Sequence, residues 1–157
     1  MNPKIIIMSR NDIENFCDNP IIQKTALISI TDFGYDYATI KNKPDYILQV
    51  SFDDIDNDVF EDELGRKPLD AEKVLIESKY HMLSDEQAKQ ISDFYKKVCN
   101  DVEMIICQCE LGQSRSAAVT AAFLEYREKS GISIFADDNY FPNKVVFRKI
   151  LDCLNKD

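Results

Sequence analysis

The sequence predicts an α/β fold: a single domain over residues 1–157, with a central, mainly parallel sheet flanked by helices. Three observations carry this. Short runs rich in β-branched residues alternate with longer stretches of helical periodicity. Turn and capping residues stand at the changes between them. No internal repeat and no Gly/Ser linker divides the chain.

Ile5 to Met8 reads as the first strand. Ser9 or Asn11 then caps a short helix over Asp12 to Cys17. Thr25 to Ile30 is a second strand, ended by Asp32-Phe33-Gly34. Tyr46 to Phe52 is a third, ended by the acidic run Asp53-Asp54-Ile55-Asp56. Residues 57–80 are the least regular stretch and are expected to form a surface insert. They begin acidic, pass Gly65 and Pro68, and carry a helical pattern from Leu69 to Ser78. Ser84-x-x-Gln87 is a capping-box pattern. It opens a helix from Asp85 to Cys99 with Ala88, Ile91, Phe94, Tyr95 and Val98 on one face. Val102 to Gln108 is a buried strand, and an alanine-rich helix runs from Arg115 to Lys129. Pro142-Asn143 precedes a last helix, Lys144 to Leu154, whose apolar face is Val145, Val146, Ile150, Leu151 and Leu154.

Hydrophobic residues make up 45% of the chain and charged residues 30%, enough for one core and a solvated surface. The net charge is −9, so nucleic acid and anionic membranes are poor partners. No apolar run approaches the roughly 18–20 residues of a membrane span. Five cysteines, an odd count with no secretory segment, predict free thiols and a cytoplasmic location. His81 is the only histidine, which excludes a zinc site built from several histidines; no metal and no cofactor is expected. Cys107 and Cys109 alternate along a strand and are expected to face opposite sides, a poor chelating pair.

In open parallel sheets, ligands bind beyond the carboxyl ends of the strands. That brings together the loop after Cys107 and the acidic run after Phe52. The loop is Cys109-Glu110-Leu111-Gly112-Gln113-Ser114-Arg115-Ser116. A strand leads in and a helix leads out, so successive N–H groups and the helix dipole converge on an anion. Gly112 allows the tight turn. Arg115 offers a planar fork for two phosphate oxygens. A thiol in that potential favours its thiolate, the nucleophilic form. Ser116 can donate a hydrogen bond to the sulfur.

This segment resembles the signature loop of the protein tyrosine and dual-specificity phosphatases: Cys, five residues, Arg, then Ser or Thr, with Gly third after Cys. Cys109, Gly112, Arg115 and Ser116 match it. The order strand-SIxD, strand ending in Asp, helix, strand, loop, helix is similar to the compact dual-specificity group. The closing FADDNYFPNKVVFRKILD is similar to the tail of bacterial tyrosine-phosphatase-like proteins. The resemblance implies a phosphatase-like fold and cysteine-dependent hydrolysis of a phosphomonoester through a phosphocysteine. Cys109 would be the nucleophile, and the phosphate would be held by Glu110, Leu111, Gly112, Gln113, Ser114 and Arg115. Ser116 would assist breakdown. Phe52-Asp53-Asp54-Ile55 matches the family's hydrophobic-x-Asp-Ile pattern and points to Asp54 as general acid. A carboxyl beside a dianionic ester is kept protonated by like-charge repulsion, which suits that role. Asp53, Asp56, Asp58 and, less so, Asp85 compete for it. Asp54 as an ordinary turn-forming aspartate is an equal alternative. The substrate would be a phosphorylated protein, through phosphotyrosine or also phosphoserine and phosphothreonine, or a small phosphomonoester.

Two residues depart from the family. Gln108 stands where histidine is common, and Glu110 puts a carboxylate inside the loop. Both favour a rival reading, a non-catalytic phosphate-binding pseudophosphatase module. A sulfurtransferase, which also sets a cysteine in an anion loop, is the second rival. Cys107 reads as a core residue, or alternatively as a resolving thiol for oxidised Cys109. His81 reads as a surface residue. Tyr35, Tyr37 and Tyr140 are packing residues by default and candidate cleft residues otherwise.

Overall fold

The structure is a computed structural model and describes residues 2–56 and 64–156. Four strands form one sheet: β1 (Lys4–Met8), β2 (Thr25–Thr31), β3 (Tyr46–Ser51) and β4 (Met104–Gln108). Their spatial order is β1-β4-β2-β3, and all three pairings are parallel. Every carboxyl end therefore points the same way. The six described helices are α1 (Arg10–Phe16), α2 (Asp70–Lys79), α3 (Asp85–Val98), α4 (Arg115–Glu128), α5 (Ile132–Phe135) and α6 (Lys144–Asn155).

The sheet separates two apolar layers. Ala26, Ile28, Ile30, Ile105 and Cys107 pack with residues of α3, α4 and α6. Leu27, Met104 and Ile106 pack on the other face with Ile13 and Cys17 of α1 and its end. All of β2 and β4 is buried, as expected of strands covered on both faces. α4 is buried from Arg115 through Phe123, and its four alanines let it lie close to the sheet.

Caps fix the helix starts. Ser9, not Asn11, caps α1, accepting from the Asp12 N–H at 3.0 Å. Ser84 and Gln87 form the expected reciprocal capping box of α3. Asn143 caps α6, accepting from the Val145 and Val146 N–H groups.

Some boundaries differ from the sequence reading. β4 begins at Met104, because the Val102 and Glu103 N–H groups donate to Val98 and Lys24 carbonyls outside the ladder. Phe52 lies past β3, yet its N–H still donates to the Thr31 carbonyl at 3.0 Å. Ser92 takes the buried position on α3 that Phe94 was expected to share; Phe94 is half-buried. Residues 57–63 of the expected insert, including Asp58, lie outside the described residues. The rest is not purely a surface excursion. Ile76 of α2 packs with Met82, Ile55, Leu64, Tyr80 and Val145. At its start, Arg66 grips Glu72 through both guanidinium nitrogens, at 2.8 and 2.9 Å. Glu72 also accepts from the Leu69 N–H, and these donors, Arg66 first, pull its carboxyl down to about 2.

Cys107 and Cys109 belong to the same apolar layer, correcting the expectation of opposite faces. Residues two apart on a strand share a face; only adjacent ones oppose.

Ile105 is fully buried at the centre of the sheet. Ile105→Ala is expected to lower stability by about 3 kcal/mol, read as a reduced urea midpoint at unchanged slope.

Candidate active site

Beyond the strand ends lies a pocket of about 800 Å³. The loop after β4 forms its floor. Backbone contacts from the β1 end hold that loop: the Cys109 N–H donates to the Met8 carbonyl at 3.3 Å, and the Arg10 N–H to the Glu110 carbonyl at 3.1 Å. Gly112 sits at φ +69°, and an added Cβ would lie 2.8 Å from the Ser9 nitrogen. Both the dihedral and the close approach demand glycine. On the opposite side the Gln113 carbonyl accepts from the Phe141 N–H at 2.8 Å, and the Ser114 carbonyl from the Asn143 N–H at 3.3 Å. The Glu110, Gln113 and Ser114 carbonyls are thus engaged by neighbouring segments. Among the described residues, no protein acceptor takes the N–H groups of residues 110–114. Five consecutive amides beside the start of α4 are thus without a protein acceptor, a pattern that suits an anion.

Cys109 is 2% exposed, and its Sγ lies 3.0 Å from the Ser116 Oγ. Arg115 is 5% exposed. Its Nη1 donates to the Phe52 carbonyl at 2.7 Å and pairs with the Asp32 Oδ1 at 2.7 Å. The Phe52 ring lies under the guanidinium, 6.0 Å from its carbon. Nε is buried without a partner. One corner of the guanidinium is spent on the protein, and Nε is not.

Asp54 lines the pocket, and its Oδ1 accepts from the Ser114 hydroxyl at 2.8 Å and the Asn143 amide at 2.9 Å. Of its competitors, Asp53 also lines the pocket, but its Oδ1 accepts from the Phe33 N–H at 3.0 Å. Asp56 lines the pocket too. Asp85 does not. Its side chain is 96% exposed in the first turn of α3, 3.8 Å from Lys149.

The two departures are accommodated. Glu110 meets Arg10 at 2.9 Å, and Arg10 also donates to Thr31, all in a neighbouring depression with Tyr35 and Asp36. Gln108 is fully buried; it accepts from the Ser29 hydroxyl at 2.5 Å and donates to the Cys109 carbonyl at 3.0 Å. A neutral glutamine therefore ties the loop to β2. His81 is exposed as expected, though stacked on Phe33 at 3.7 Å.

Asp32 and Asn143 line the pocket and Arg10 pairs with Glu110 beside it, and the sequence reading assigned a site role to none of the three. Asp32 was visible only as the last letter of the SIxD pattern, and Asn143 only as a helix start. Tyr140 lies in a second hollow beside the pocket, while Tyr35 lines the Arg10 depression. Among the described residues no cluster of His, Cys, Asp and Glu is arranged to hold a metal ion.

No family model and no curated protein matches the chain in sequence. Solved structures do match. Tk-PTP in its active form superposes with a TM-score of 0.52 at 13% identity, covering 98% of this chain and 92% of that one. PTPMT1 in complex with PI(5)P gives 0.55 at 12% identity, covering 96% and 90%.

The fold is that of the protein tyrosine phosphatases.

Nearly full coverage on both sides extends that likeness over the sheet and the flanking helices alike. Burial in this fold also sets the behaviour of Cys107, fully enclosed behind the site, whose thiol is pushed up to about 12. A thiol held neutral and enclosed is a poor nucleophile, which favours the core reading of Cys107 over a resolving role.

Two outcomes are expected. Gly112→Ala should cost at least about 1 kcal/mol of stability and weaken phosphate binding, both read from thermal unfolding with and without inorganic phosphate. Cys107 in the unfolded chain ionises near pH 8.5. Its folded pKa is raised, so its contribution is complete below that pH and is lost as pH rises toward about 12. Urea unfolding from pH 8 to 10.5 should show stability falling more steeply in the wild type than in Cys107→Val.

Proposed function

We propose that this protein is a cysteine-dependent phosphomonoester hydrolase, with residues 1–157 acting as one catalytic domain. The observation that carries the reading is the run of loop N–H groups without a protein acceptor that follows a shielded Cys109. The buried Arg115 Nε, also without an acceptor, adds to it. The phosphatase fold supports it, as does a phosphoinositide bound by PTPMT1, a ligand bearing phosphomonoesters.

In the proposed reaction the Cys109 thiolate attacks phosphorus. The S–P bond forms as the ester P–O bond breaks, and Asp54 gives its proton to the leaving oxygen. The loop N–H groups and Arg115 hold the three equatorial oxygens as charge builds on them. Water then attacks the phosphocysteine, Asp54 takes back a proton, and the S–P bond breaks. The Ser116 hydroxyl, at 3.0 Å, donates to the departing thiolate. The Ser114 and Asn143 donors fix the Asp54 carboxyl over the pocket. The scheme calls for no metal or cofactor. Phosphotyrosine, alone or with phosphoserine and phosphothreonine, is the proposed class of protein substrate. No helix among the described residues is long and apolar enough to cross a membrane.

Para-nitrophenyl phosphate hydrolysis in EDTA, from pH 5 to 8, tests this. The wild type should turn over and be inhibited by vanadate. Cys109→Ser should abolish turnover, and Asp54→Asn should lower kcat by about 10²-fold with little change in KM. A folded, reduced wild type without turnover that still binds phosphate would instead be the binding module. Thiosulfate-to-cyanide transfer without ester hydrolysis would make it a sulfurtransferase.

A further inference from the structure

We infer that the substrate is a phosphopeptide and that one apolar side chain two positions from its phosphorylated residue docks in a second hollow beside the catalytic pocket. This rests on the phosphatase reading above, whose pocket supplies the phosphate seat. The hollow has a volume of about 420 Å³. Phe135, Tyr140 and Val145 line it alone, and Asp56, Phe141 and Pro142 line both it and the catalytic pocket. The two concavities therefore meet along Phe141-Pro142.

Phe141 is 69% exposed on this shared wall. Its backbone is nevertheless pinned: its N–H donates to Gln113 of the phosphate loop, and the Asn143 N–H donates to Ser114. An aromatic ring held open to water on a backbone tied to the phosphate loop is a preformed surface for an apolar group. In an extended peptide, side chains two residues apart share a face and lie roughly 6.6 Å apart, so a residue two positions from the phosphorylated one reaches a contiguous hollow. A small phosphomonoester would leave it empty.

Charge selects the peptide over a lipid surface. Asp32, Asp53, Asp54, Asp56 and Glu110 line the catalytic pocket, against Arg115 as its one cationic lining residue. The second hollow adds only Lys144. The whole chain carries −9. An anionic bilayer pressed against this mouth would be repelled, whereas a peptide can present one phosphate and an apolar side chain with no further negative charge.

The test is a binding titration of the full chain carrying Cys109→Ser, by fluorescence anisotropy. Phosphotyrosine and phosphoserine peptides would differ only at the flanking positions two residues before and after the phosphorylated residue, Gly against Leu or Phe. Unphosphorylated counterparts and phosphoinositide-containing vesicles would be run alongside. The expected result is about tenfold tighter binding of a Leu- or Phe-flanked phosphopeptide than of its Gly counterpart. That ratio should fall toward one when Tyr140→Ser is added. Phosphate-dependent binding that ignores the flanking residue would overturn this inference alone. So would tighter binding to the vesicles than to any peptide. Binding indifferent to phosphorylation would overturn the phosphatase reading itself, and this inference with it.

Discussion

A buried guanidinium is the constraint on which the site depends. Arg115 is 5% exposed, and a cation withdrawn from water must be held by the protein. Asp32, just past β2, and the Phe52 carbonyl, just past β3, do this through Nη1. That is possible only because β2 lies beside β4 and β3 beyond it, with all carboxyl ends together. The sheet order thus makes the charge tolerable. The compensation stops short of completion: Nε stays buried without an acceptor. Leaving such a donor unpaired costs about 1–3 kcal/mol, a cost that a phosphate oxygen would remove under the proposed function.

The same economy governs the other wall. Asn143 spends its Oδ1 on the first N–H groups of α6 and its amide on Asp54 and the Ile55 carbonyl. One side chain both starts a helix and sets the carboxyl proposed as the acid. Ser114, at the start of α4, reaches the same carboxyl oxygen. The orientation of Asp54 is thereby coupled to the starts of two helices. His81 and Asp53 add a smaller tie: the Asp53 N–H donates to the His81 carbonyl, beside the stacked Phe33 ring.

What was legible in the sequence was local. Cys109, Gly112, Arg115 and Ser116 lie within eight residues, and a strand before and a helix after them are periodicities that a linear reading detects. The caps at Ser84 and Ser9 are equally local. The pair between Arg10 and Glu110 spans a hundred positions, and the Asn143 contact to Asp54 nearly as many. No spacing rule reaches that far. Glu110 looked like an obstacle to an anion because its partner could not be seen. Gln108 looked like a weakened histidine because Ser29, the hydroxyl it accepts from, lies on another strand. α5, four residues long, is too short to leave a periodic signal.

On the proposed reading, a chain of net charge −9 nevertheless seats an anion, because distance outweighs number. Amides and a guanidinium within a few ångströms act through little solvent, while carboxylates spread over the surface are screened beyond a Debye length of about 8 Å. The nearest carboxylates are partly neutralised in place, Glu110 by Arg10 and Asp32 by Arg115 itself. Such a seat recognises the phosphoryl group and little else, since the loop offers backbone N–H groups that any phosphomonoester can accept. Discrimination must then come from what surrounds the loop. On one side that is a row of carboxylates, and on the other the exposed Phe141 ring and the hollow behind it. Under the proposed docking of a phosphopeptide, one surface would reject added negative charge and the other reward apolar area, so the two would select along independent properties of a substrate.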